Sequence, residues 1–492
     1  LSQINFDSVL RNMLSIVLKL SYYDKTTHIM KLKIPMIDES IFREYDIRGV
    51  VPSQINKASI DSISYAIAKK CKDENITEIA LGRDGRLSGE QILNLLSREL
   101  QSLGINIINI GVVTSPLLYY AAKQLPSKSG IMITGSHNPK EYNGFKIVIN
   151  DSPISGLEIL SLISDIPITK INTGKKIFKK NIMDEYVQEV LQQSKVQQKK
   201  LKVVIDCGNG SAGEIAPLLM RSLGYEVIEV FCEIDGNFPN HHPDPGKVEN
   251  LQDLIKAVKE NSADVGIAFD GDGDRLGVIT EKGEIIFPDQ LMMIFAKDVL
   301  KNHPGKEIIF DVKCTNLLSN IIREAGGIPL MSPTGHFHIK NALKKTNAPL
   351  AGEMSGHIFF NDQWHGFDDG HYSAFRLLEI IENLNEPLSS IFNQLPKACS
   401  TPELNINVDE KIKFKIIEDF VSKSEFQDGS KVTIDGLRVD FNDGWGLIRA
   451  SNTTPKLVLR FEANSPSRLQ EIKNMFLNQL KLIDESIHID IS

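Results

Sequence analysis

The stretch "EIALGRDGRLSGEQILNLLSRELQSLGINIINIG", residues 78–111, predicts the architecture of much of this chain. A short apolar strand runs into a polar loop, an amphipathic helix follows, and a glycine leads into a second strand. The same order returns at residues 201–231 and again at residues 307–333. Strands that alternate with helices of this length form βαβ units with parallel or mixed sheets. Because the three copies are far apart in the chain, they indicate three similar α/β domains.

The C-terminal part has a different pattern. Residues 437–463 alternate like half-buried antiparallel strands, and an amphipathic helical segment follows at 467–483. The predicted fold class is α/β, with three similar mixed-sheet α/β domains plus a C-terminal α+β domain around a central cleft. We expect an N-terminal extension, non-native or disordered, and four domains, at residues 1–37, 38–178, 179–284, 285–398 and 399–492.

The composition is that of a globular protein, with 492 residues, 41% hydrophobic and 24% charged, and a net charge of −8. Acidic and basic residues are interspersed without a basic stripe, so we expect no nucleic-acid partner. No apolar run approaches the ~20 residues of a membrane span, so we expect no membrane partner either. The scattered cysteines lack a C-x-x-C pair, which favours free thiols and a cytoplasmic location. No extra hydrophobic element indicates an oligomer, and we expect a monomer.

The loop "DGDGDR" at residues 270–275 places three carboxylates at alternate positions between two predicted strands. Asp270, Asp272 and Asp274 repel one another unless a cation lies among them, and carboxylate oxygens suit Mg²⁺ or Ca²⁺. An EF-hand calcium loop has glycine at its sixth position, where this loop has Arg275, and helices rather than strands flank it. A solvated acidic turn is a second alternative. We favour a Mg²⁺ site whose remaining ligands include a phosphate.

A second polar loop, "SGIMITGSHNPKEYNGFK" at residues 129–146, presents Ser136 on a glycine turn after an apolar strand. His137, Asn138 and Lys146 lie close to it in sequence. A serine beside Mg²⁺ can carry a phosphoryl group, whereas a polar β-turn without catalytic function is the structural alternative. The residues around this serine do not fit the G-x-S-x-G pattern of α/β-hydrolases.

Four motifs occur in order, one in each predicted domain: "TGSHNP" (134–139), "DGDGDR", "GEMSGH" (352–357) and "RASNTTP" (449–455). Together they resemble the α-D-phosphohexomutase family, most of all its bacterial phosphomannomutase/phosphoglucomutase branch, over about residues 38–485. "FREYDIRG", "DVKCT" and "TGH" fit the same family. The resemblance implies reversible phosphoryl transfer between positions 1 and 6 of a mannose or glucose phosphate. The implied route is a phosphoserine enzyme and a hexose 1,6-bisphosphate, which also acts as activator.

The resemblance also implies roles for particular residues. Mg²⁺ would be bound by Ser136, as its phosphate, and by the aspartates Asp270, Asp272 and Asp274. The expected catalytic residues are Ser136, His137, Lys146, Arg48 and Arg275. Lys146 is favoured over His137 as the group that moves the sugar hydroxyl proton. The expected substrate-binding residues are Tyr45, Lys313, His336, Glu353, Ser355, Arg449, Ser451, Asn452 and Thr453.

Other functions fit single motifs. "GNGSAG" at 208–213 matches G-x-G-x-x-G after a predicted strand, which would suit an NAD-dependent oxidoreductase. The same position in the other two repeats is "GRDGRLSG" and "VKCTNLLS", so we favour a repeated architectural turn. A Mg²⁺-dependent sugar phosphatase, a phosphoglucosamine mutase and a non-catalytic sugar-phosphate-binding protein are further alternatives. "TGSHNP" resembles the loop of glucose and mannose phosphate mutases, since glucosamine phosphate mutases tend to carry an alanine–serine version.

Overall fold

The computed structural model describes residues 37–163, 177–194, 201–452, 454–484 and 487. The predicted N-terminal extension, apart from its last residue, and Thr453 lie outside the described residues. Within the described part of the chain, no helix is both long enough and apolar enough to cross a bilayer. The described residues form four sheets, each with its own packed helices.

The first unit contains a seven-stranded mixed sheet. Its elements are β1 Ile47–Val50, α1 Lys57–Asp73, β2 Glu78–Arg83, α2 Gly89–Ser102, β3 Asn106–Val112, α3 Ser115–Gln124, β4 Gly130–Ile133, β5 Tyr142–Ile149, β6 Ser152–Ile154, α4 Gly156–Ile163 and β7 Ile177–Lys179. The strand order is β1–β5–β4–β2–β3–β7, with β6 paired to β5. Strands β4, β2, β3 and β7 are parallel, and β5 is antiparallel to its three neighbours.

The second unit contains a five-stranded mixed sheet. Its elements are α5 Met183–Gln193, β8 Lys202–Asp206, α6 Ala212–Ser222, β9 Glu226–Val230, α7 Gln252–Glu260, β10 Val265–Phe269, β11 Leu276–Thr280 and β12 Ile285–Ile286. The strand order is β12–β11–β10–β8–β9, in which β8 is parallel to β9 and β10. Strand β11 is antiparallel to both of its neighbours.

The third unit contains a four-stranded mixed sheet in the order β14–β13–β15–β16. The bounds are α8 Pro288–Asn302, β13 Glu307–Asp311, α9 Asn316–Glu324, β14 Ile328–Ser332, α10 His336–Thr346, β15 Leu350–Gly352, β16 Ile358–Phe360, α11 Gly370–Leu384 and α12 Leu388–Asn393. Strand β13 is parallel to β14 and β15, and β16 is antiparallel to β15.

The fourth unit is antiparallel throughout its described sheet. The bounds are β17 Cys399–Ser400, β18 Leu404–Asn407, α13 Lys413–Lys423, β19 Ser430–Val432, β20 Leu437–Phe441, β21 Gly444–Ala450, β22 Lys456–Ala463 and α14 Pro466–Ile483. The order is β17–β22–β21–β20–β19, with β18 also on β22. The predicted fold class, three mixed α/β units and one α+β unit, is confirmed.

The sheets extend slightly beyond two of the predicted domain boundaries. Lys179 pairs within the first sheet, because β7 lies beside β3. Ile285 and Ile286 pair with β11 and so belong to the second sheet. The short strands β7 and β12 give too little periodicity to be recognised in the sequence. We propose domain boundaries that follow these strand ends.

Buried contacts join the four units. A continuous apolar core runs from α3 of the first unit through the second and third units. The fourth unit docks on the third through Trp445 and Arg438, which are both fully buried. The Arg438 guanidinium donates to the backbone oxygens of Val312 (2.6 Å) and Cys314 (2.8 Å) and lies 3.8 Å from the centre of the Trp445 ring. These contacts place the loops of all four units around one cavity.

Candidate active site

A cavity of about 680 Å³ lies where the four units meet. It is lined by almost all of the residues that the sequence selected: Tyr45, Arg48, Ser136, His137, Lys146, Arg275, Lys313, His336, Glu353, Ser355, Arg449, Ser451 and Asn452. The three aspartates of the "DGDGDR" loop are completely buried beside it. The structure therefore brings together every described residue of the predicted site.

Ser136 lies in the loop between β4 and β5, which are antiparallel neighbours. Its backbone has a φ of 48°, in the left-handed region that few residues other than glycine adopt. The Ser136 hydroxyl donates to Asp270 Oδ2 at 3.1 Å and lies 3.1 Å from His137 Nδ1. The serine oxygen is thus held directly against the carboxylate loop.

The three aspartates occupy the turn between β10 and β11, which are adjacent antiparallel strands. One oxygen from each lies within 4.8 Å of the others, a spacing that could hold a metal ion. Asp272 Oδ1 and Asp274 Oδ1 are buried without a hydrogen-bond partner. Buried carboxylate oxygens without donors fit a hard divalent cation such as Mg²⁺. The donor set therefore fits the predicted metal.

The electrostatics of the "DGDGDR" loop also favour a bound cation. Burial, together with repulsion from Asp274 and Asp272, raises the pKa of Asp270 well above its usual range. Lys146 donates to Asp272 Oδ2 at 2.7 Å and to Asp274 Oδ2 at 2.5 Å. Burial opposes its charge, but the two aspartates outweigh burial and raise the pKa of Lys146 well above normal. Lys146 is consequently a cation in this arrangement.

Two arginines flank the serine loop. The Arg48 guanidinium donates to Asn138 Oδ1 at 2.5 Å and pairs with Asp46. Arg275 Nε lies 3.8 Å from Asp270 Oδ2 and donates to His357 Nε2 at 3.1 Å. These positive charges can stabilise an anion that is bound at the serine.

His137 is neutral in this setting. Burial, reinforced by the charges of Arg275 and Arg48, lowers the pKa of His137 well below its usual value. Because the Ser136 hydroxyl donates its one proton to Asp270, the neutral imidazole donates from Nδ1 to Ser136 Oγ in this contact.

The "GEMSGH" loop, between β15 and β16, forms another part of the cavity wall. Ser355 Oγ donates to Glu353 Oε2 at 3.3 Å, whereas Glu353 Oε1 is buried without a partner. His336 Nδ1 is likewise buried without a partner. Unpaired acceptors and donors that line a polar cavity are suited to binding sugar hydroxyls.

His357 is the last residue of "GEMSGH", but it was not among the predicted site residues. It lines the cavity, and its Nδ1 lies 3.1 Å from Asp368 Oδ2 and 3.4 Å from Asp274 Oδ1. The motif could have indicated His357 as a site residue, because histidine is the commonest proton carrier at neutral pH. Asp368 lies in no recognised motif, and only the folded chain brings it into contact with His357, so the sequence alone could not indicate it.

The fourth unit contributes a cationic pocket. Arg449 Nε donates to Asp435 Oδ2 at 2.8 Å, and Arg449 Nη2 is buried without a partner. Asn452 Nδ2 donates to the Tyr45 hydroxyl, which donates in turn to the backbone oxygen of Thr334 at 2.6 Å. Lys313 Nζ pairs with Glu403 at 3.0 Å. The free guanidinium donor of Arg449 fits an anion such as phosphate.

The glycines of "GNGSAG" pack against neighbouring backbone. A Cβ atom at Gly213 would lie 1.8 Å from the carbonyl oxygen of Cys232, and one at Gly208 would lie 3.0 Å from Pro243 Cα. Ser211 donates to the carbonyl oxygen of Gly271 in the "DGDGDR" loop. The motif thus serves internal packing, as the comparison of the three repeats predicts.

A serine beside three carboxylates, with a separate anion pocket across the same cavity, defines a phosphoryl-transfer enzyme. Comparison with known proteins is in agreement. The models of phosphoglucomutase/phosphomannomutase α/β/α domains I, II and III match residues 39–165, 184–283 and 287–399, and that of the C-terminal domain matches residues 403–479.

Individual relatives match over nearly their whole length. A phosphomannomutase/phosphoglucomutase of Pseudomonas putida is 49% identical, covering 94% of this chain and 99% of that protein. A phosphoglucomutase of Neisseria gonorrhoeae is 48% identical, covering 89% of this chain and 96% of that protein. The crystal structure of a phosphoglucomutase/phosphomannomutase family protein from Burkholderia thailandensis has a TM-score of 0.86 and 44% identity, covering 92% of this chain and 99% of its own.

The chain belongs to the phosphoglucomutase/phosphomannomutase family, in its bacterial branch. It is accordingly a hexose phosphate mutase, an enzyme of the isomerase class.

Proposed function

We propose that this mutase moves a phosphoryl group reversibly between O1 and O6 of glucose and mannose phosphates, through phosphorylated Ser136 and a hexose 1,6-bisphosphate. The observation that carries the proposal is the contact of Ser136 Oγ with Asp270, in a cavity that also contains the free donor of Arg449. One end of the cavity handles the phosphate in transfer, and the other binds the phosphate that stays on the sugar.

At the serine end, Ser136 carries the phosphoryl group, and Arg48, Arg275 and Lys146 surround it with positive charge. Asp270, Asp272 and Asp274 would hold Mg²⁺, which when bound neutralises charge on the phosphoryl oxygens. Such transfer depends mainly on positioning and electrostatics, because the transition state is loose.

The sugar hydroxyl must lose a proton as it accepts the phosphoryl group. Lys146, His137 and His357 all line the cavity and are the candidates. His137 is neutral and touches Ser136, so it is placed to exchange a proton with the serine oxygen. Lys146 contacts Asp272 and Asp274, so in this arrangement it is a cation that balances the aspartates.

At the other end, Glu353, Ser355 and His336 bind sugar hydroxyls. The remaining phosphate is held by a separate group of donors, Arg449, Ser451, Asn452 and Thr453, with Tyr45 and Lys313 beside them. Because either phosphate of the bisphosphate must reach Ser136, the intermediate turns within the cavity before the second transfer. Hexose 1,6-bisphosphate also acts as activator, because it phosphorylates a free Ser136.

We further propose that the enzyme works as a monomer in the cytoplasm. All five cysteines carry free thiols, which suits a reducing compartment. Sedimentation of the purified protein tests the oligomeric state.

The experiment is conversion of glucose 1-phosphate to glucose 6-phosphate, coupled to a dehydrogenase, with Mg²⁺ and a trace of glucose 1,6-bisphosphate. Mannose 1-phosphate is assayed in parallel. We expect turnover of both sugars, its loss in Ser136→Ala, and its retention in Ser161→Ala, a control on α4 that does not line the cavity. Release of inorganic phosphate in place of the isomer would identify a phosphatase. Activity confined to glucosamine phosphate would identify a phosphoglucosamine mutase.

A further inference from the structure

The stretch "GRDGR" at residues 82–86, where β2 ends, contains a completely buried arginine outside the cavity. Arg86 is 1% exposed and is absent from the cavity wall. All five of its guanidinium N–H groups have acceptors. Nε donates to Asp84 Oδ2 at 3.1 Å. The other four donate to backbone oxygens of the serine loop: Ser136 (2.7 Å), Asn138 (2.6 Å), Pro139 (2.6 Å) and Tyr142 (3.0 Å).

Asp84 holds the start of the same loop. Its Oδ2 accepts hydrogen bonds from Thr134 Oγ1 at 2.7 Å and from the backbone N–H of Gly135 at 3.2 Å. Thr134 Oγ1 accepts in turn from the backbone N–H of Ser136 at 2.7 Å. The Asp84–Arg86 pair therefore fixes the backbone on both sides of Ser136.

The serine loop also lies directly on the guanidinium plane. A Cβ atom at Gly135 would lie 2.5 Å from Arg86 Cζ, so a glycine is needed there. Arg86 Cζ also lies over the ring of Phe238 of the second unit, 5.2 Å from the ring centre. Because Ser136 has a left-handed backbone, which is strained in a non-glycine residue, the surrounding contacts must hold it there.

We propose that Arg86 is a positioning residue for phosphoryl transfer: it fixes Ser136 Oγ against the metal-binding carboxylates without touching the substrate. The inference rests on the proposed function, since it requires Ser136 to be the phosphorylated group. Only an arginine supplies five donors in a fixed plane. Lysine keeps the charge but has three donors, so it would satisfy only part of the loop.

The test compares Arg86→Lys and Arg86→Met with Arg376→Met. Arg376 is another buried arginine, 5% exposed, on α11; it pairs with Asp362 at 2.9 Å and does not line the cavity. We expect all three variants to have lower melting temperatures. Per folded enzyme, kcat should fall roughly 100-fold in Arg86→Met and roughly 10-fold in Arg86→Lys, with KM for glucose 1-phosphate nearly unchanged, because a small displacement of the nucleophile affects only the chemical step.

A second readout reports on the serine itself. After incubation with glucose 1,6-bisphosphate, the ³¹P resonance of phosphoserine should be shifted or broadened in both Arg86 variants and unchanged in Arg376→Met. If Arg86→Lys keeps the wild-type kcat and resonance, or Arg376→Met loses as much kcat, the positioning role is wrong. If Ser136→Ala still turns over, the proposed function fails, and this inference with it.

Discussion

The free N–H of Arg449 allows a quantitative test of the phosphate pocket. Arg449 Nε is used by Asp435, whereas Nη2 is buried and unpaired beside the cavity. In Arg449→Lys the charge and a contact with Asp435 can persist, but the second donor is lost. A hydrogen bond from a charged group contributes about 1.5–3 kcal/mol, which corresponds to roughly 10- to 150-fold in binding. We therefore expect KM for glucose 1-phosphate to rise by that factor.

The expected kinetic signature is specific. The phosphate that stays on the sugar is bound equally in the ground state and the transition state, so kcat should change little. Initial rates are measured over a range of glucose 1-phosphate with saturating bisphosphate and Mg²⁺. Arg468→Lys is the control, because Arg468 lies in the same unit and pairs with Asp443 and Glu471 away from the cavity. An unchanged KM, or a fall in kcat alone, would refute the assignment of Arg449 to the remaining phosphate.

Three further predictions concern the metal, a histidine and a glycine. Chelation with EDTA should abolish turnover, and added Mg²⁺ should raise the melting temperature of wild type more than that of Asp272→Asn. Burial opposes protonation of His241, but its hydrogen bond and ion pair with Asp206 outweigh burial and raise the pKa of His241. The stabilisation is therefore complete below the unfolded pKa of about 6.5 and is lost as pH rises through the folded pKa. The difference in melting temperature between wild type and His241→Asn should decrease from pH 5.5 to pH 8.5. A difference that stays constant over this range would contradict the stabilising role of the His241–Asp206 pair. Gly213→Ala should lower the free energy of urea-induced unfolding by about 1–3 kcal/mol, because its Cβ would collide with the Cys232 carbonyl oxygen. Wild-type stability of this variant would refute the collision.

The fold class is readable from the sequence because each element carries its own periodicity. The helix of the first repeat, for example, buries Ile92, Leu93, Leu96 and Leu100 on one face. The order of strands within a sheet cannot be predicted in the same way, because it depends on pairing between segments that are far apart in the sequence. Strand β1 pairs with β5 through Ile47 and Phe145, which are far apart in the chain, and neither segment shows the pairing in its own sequence.

The site was predictable to the extent that its residues lie in motifs. Ser136 and Asp270 lie in loops and Arg449 lies near the end of β21. Each belongs to a motif of distinctive composition, and these motifs converge on one cavity. Arg86 was missed because "GRDGRLSG" resembles a turn, and its function depends on carbonyl oxygens that only the folded chain presents. Backbone acceptors carry no side-chain signature, so no motif can reveal them.

The three repeats share a structural feature that no single motif reveals, a buried aspartate at the end of a parallel strand. In each, the central parallel strand ends in a buried aspartate: Asp84 after β2, Asp206 at the end of β8 and Asp311 at the end of β13. Asp84 accepts from Thr134 of the serine loop, and Asp206 contacts His241. Asp311 accepts from Thr334 Oγ1 and from the backbone N–H of Met354, in the "TGH" and "GEMSGH" loops.

The carboxyl end of a parallel strand faces the loops of its neighbours, so a carboxylate there can accept donors from those loops. In the first and third units, the loops so held carry the groups assigned to the phosphoryl group and the sugar. In the second unit, the contact instead fixes the long connection after β9, in which His242 Nε2 donates to the backbone carbonyl oxygen of His137. The repeated architecture thus orders the catalytic loops from beneath, and this explains why residues outside the cavity, such as Asp84 and Arg86, are expected to control its chemistry.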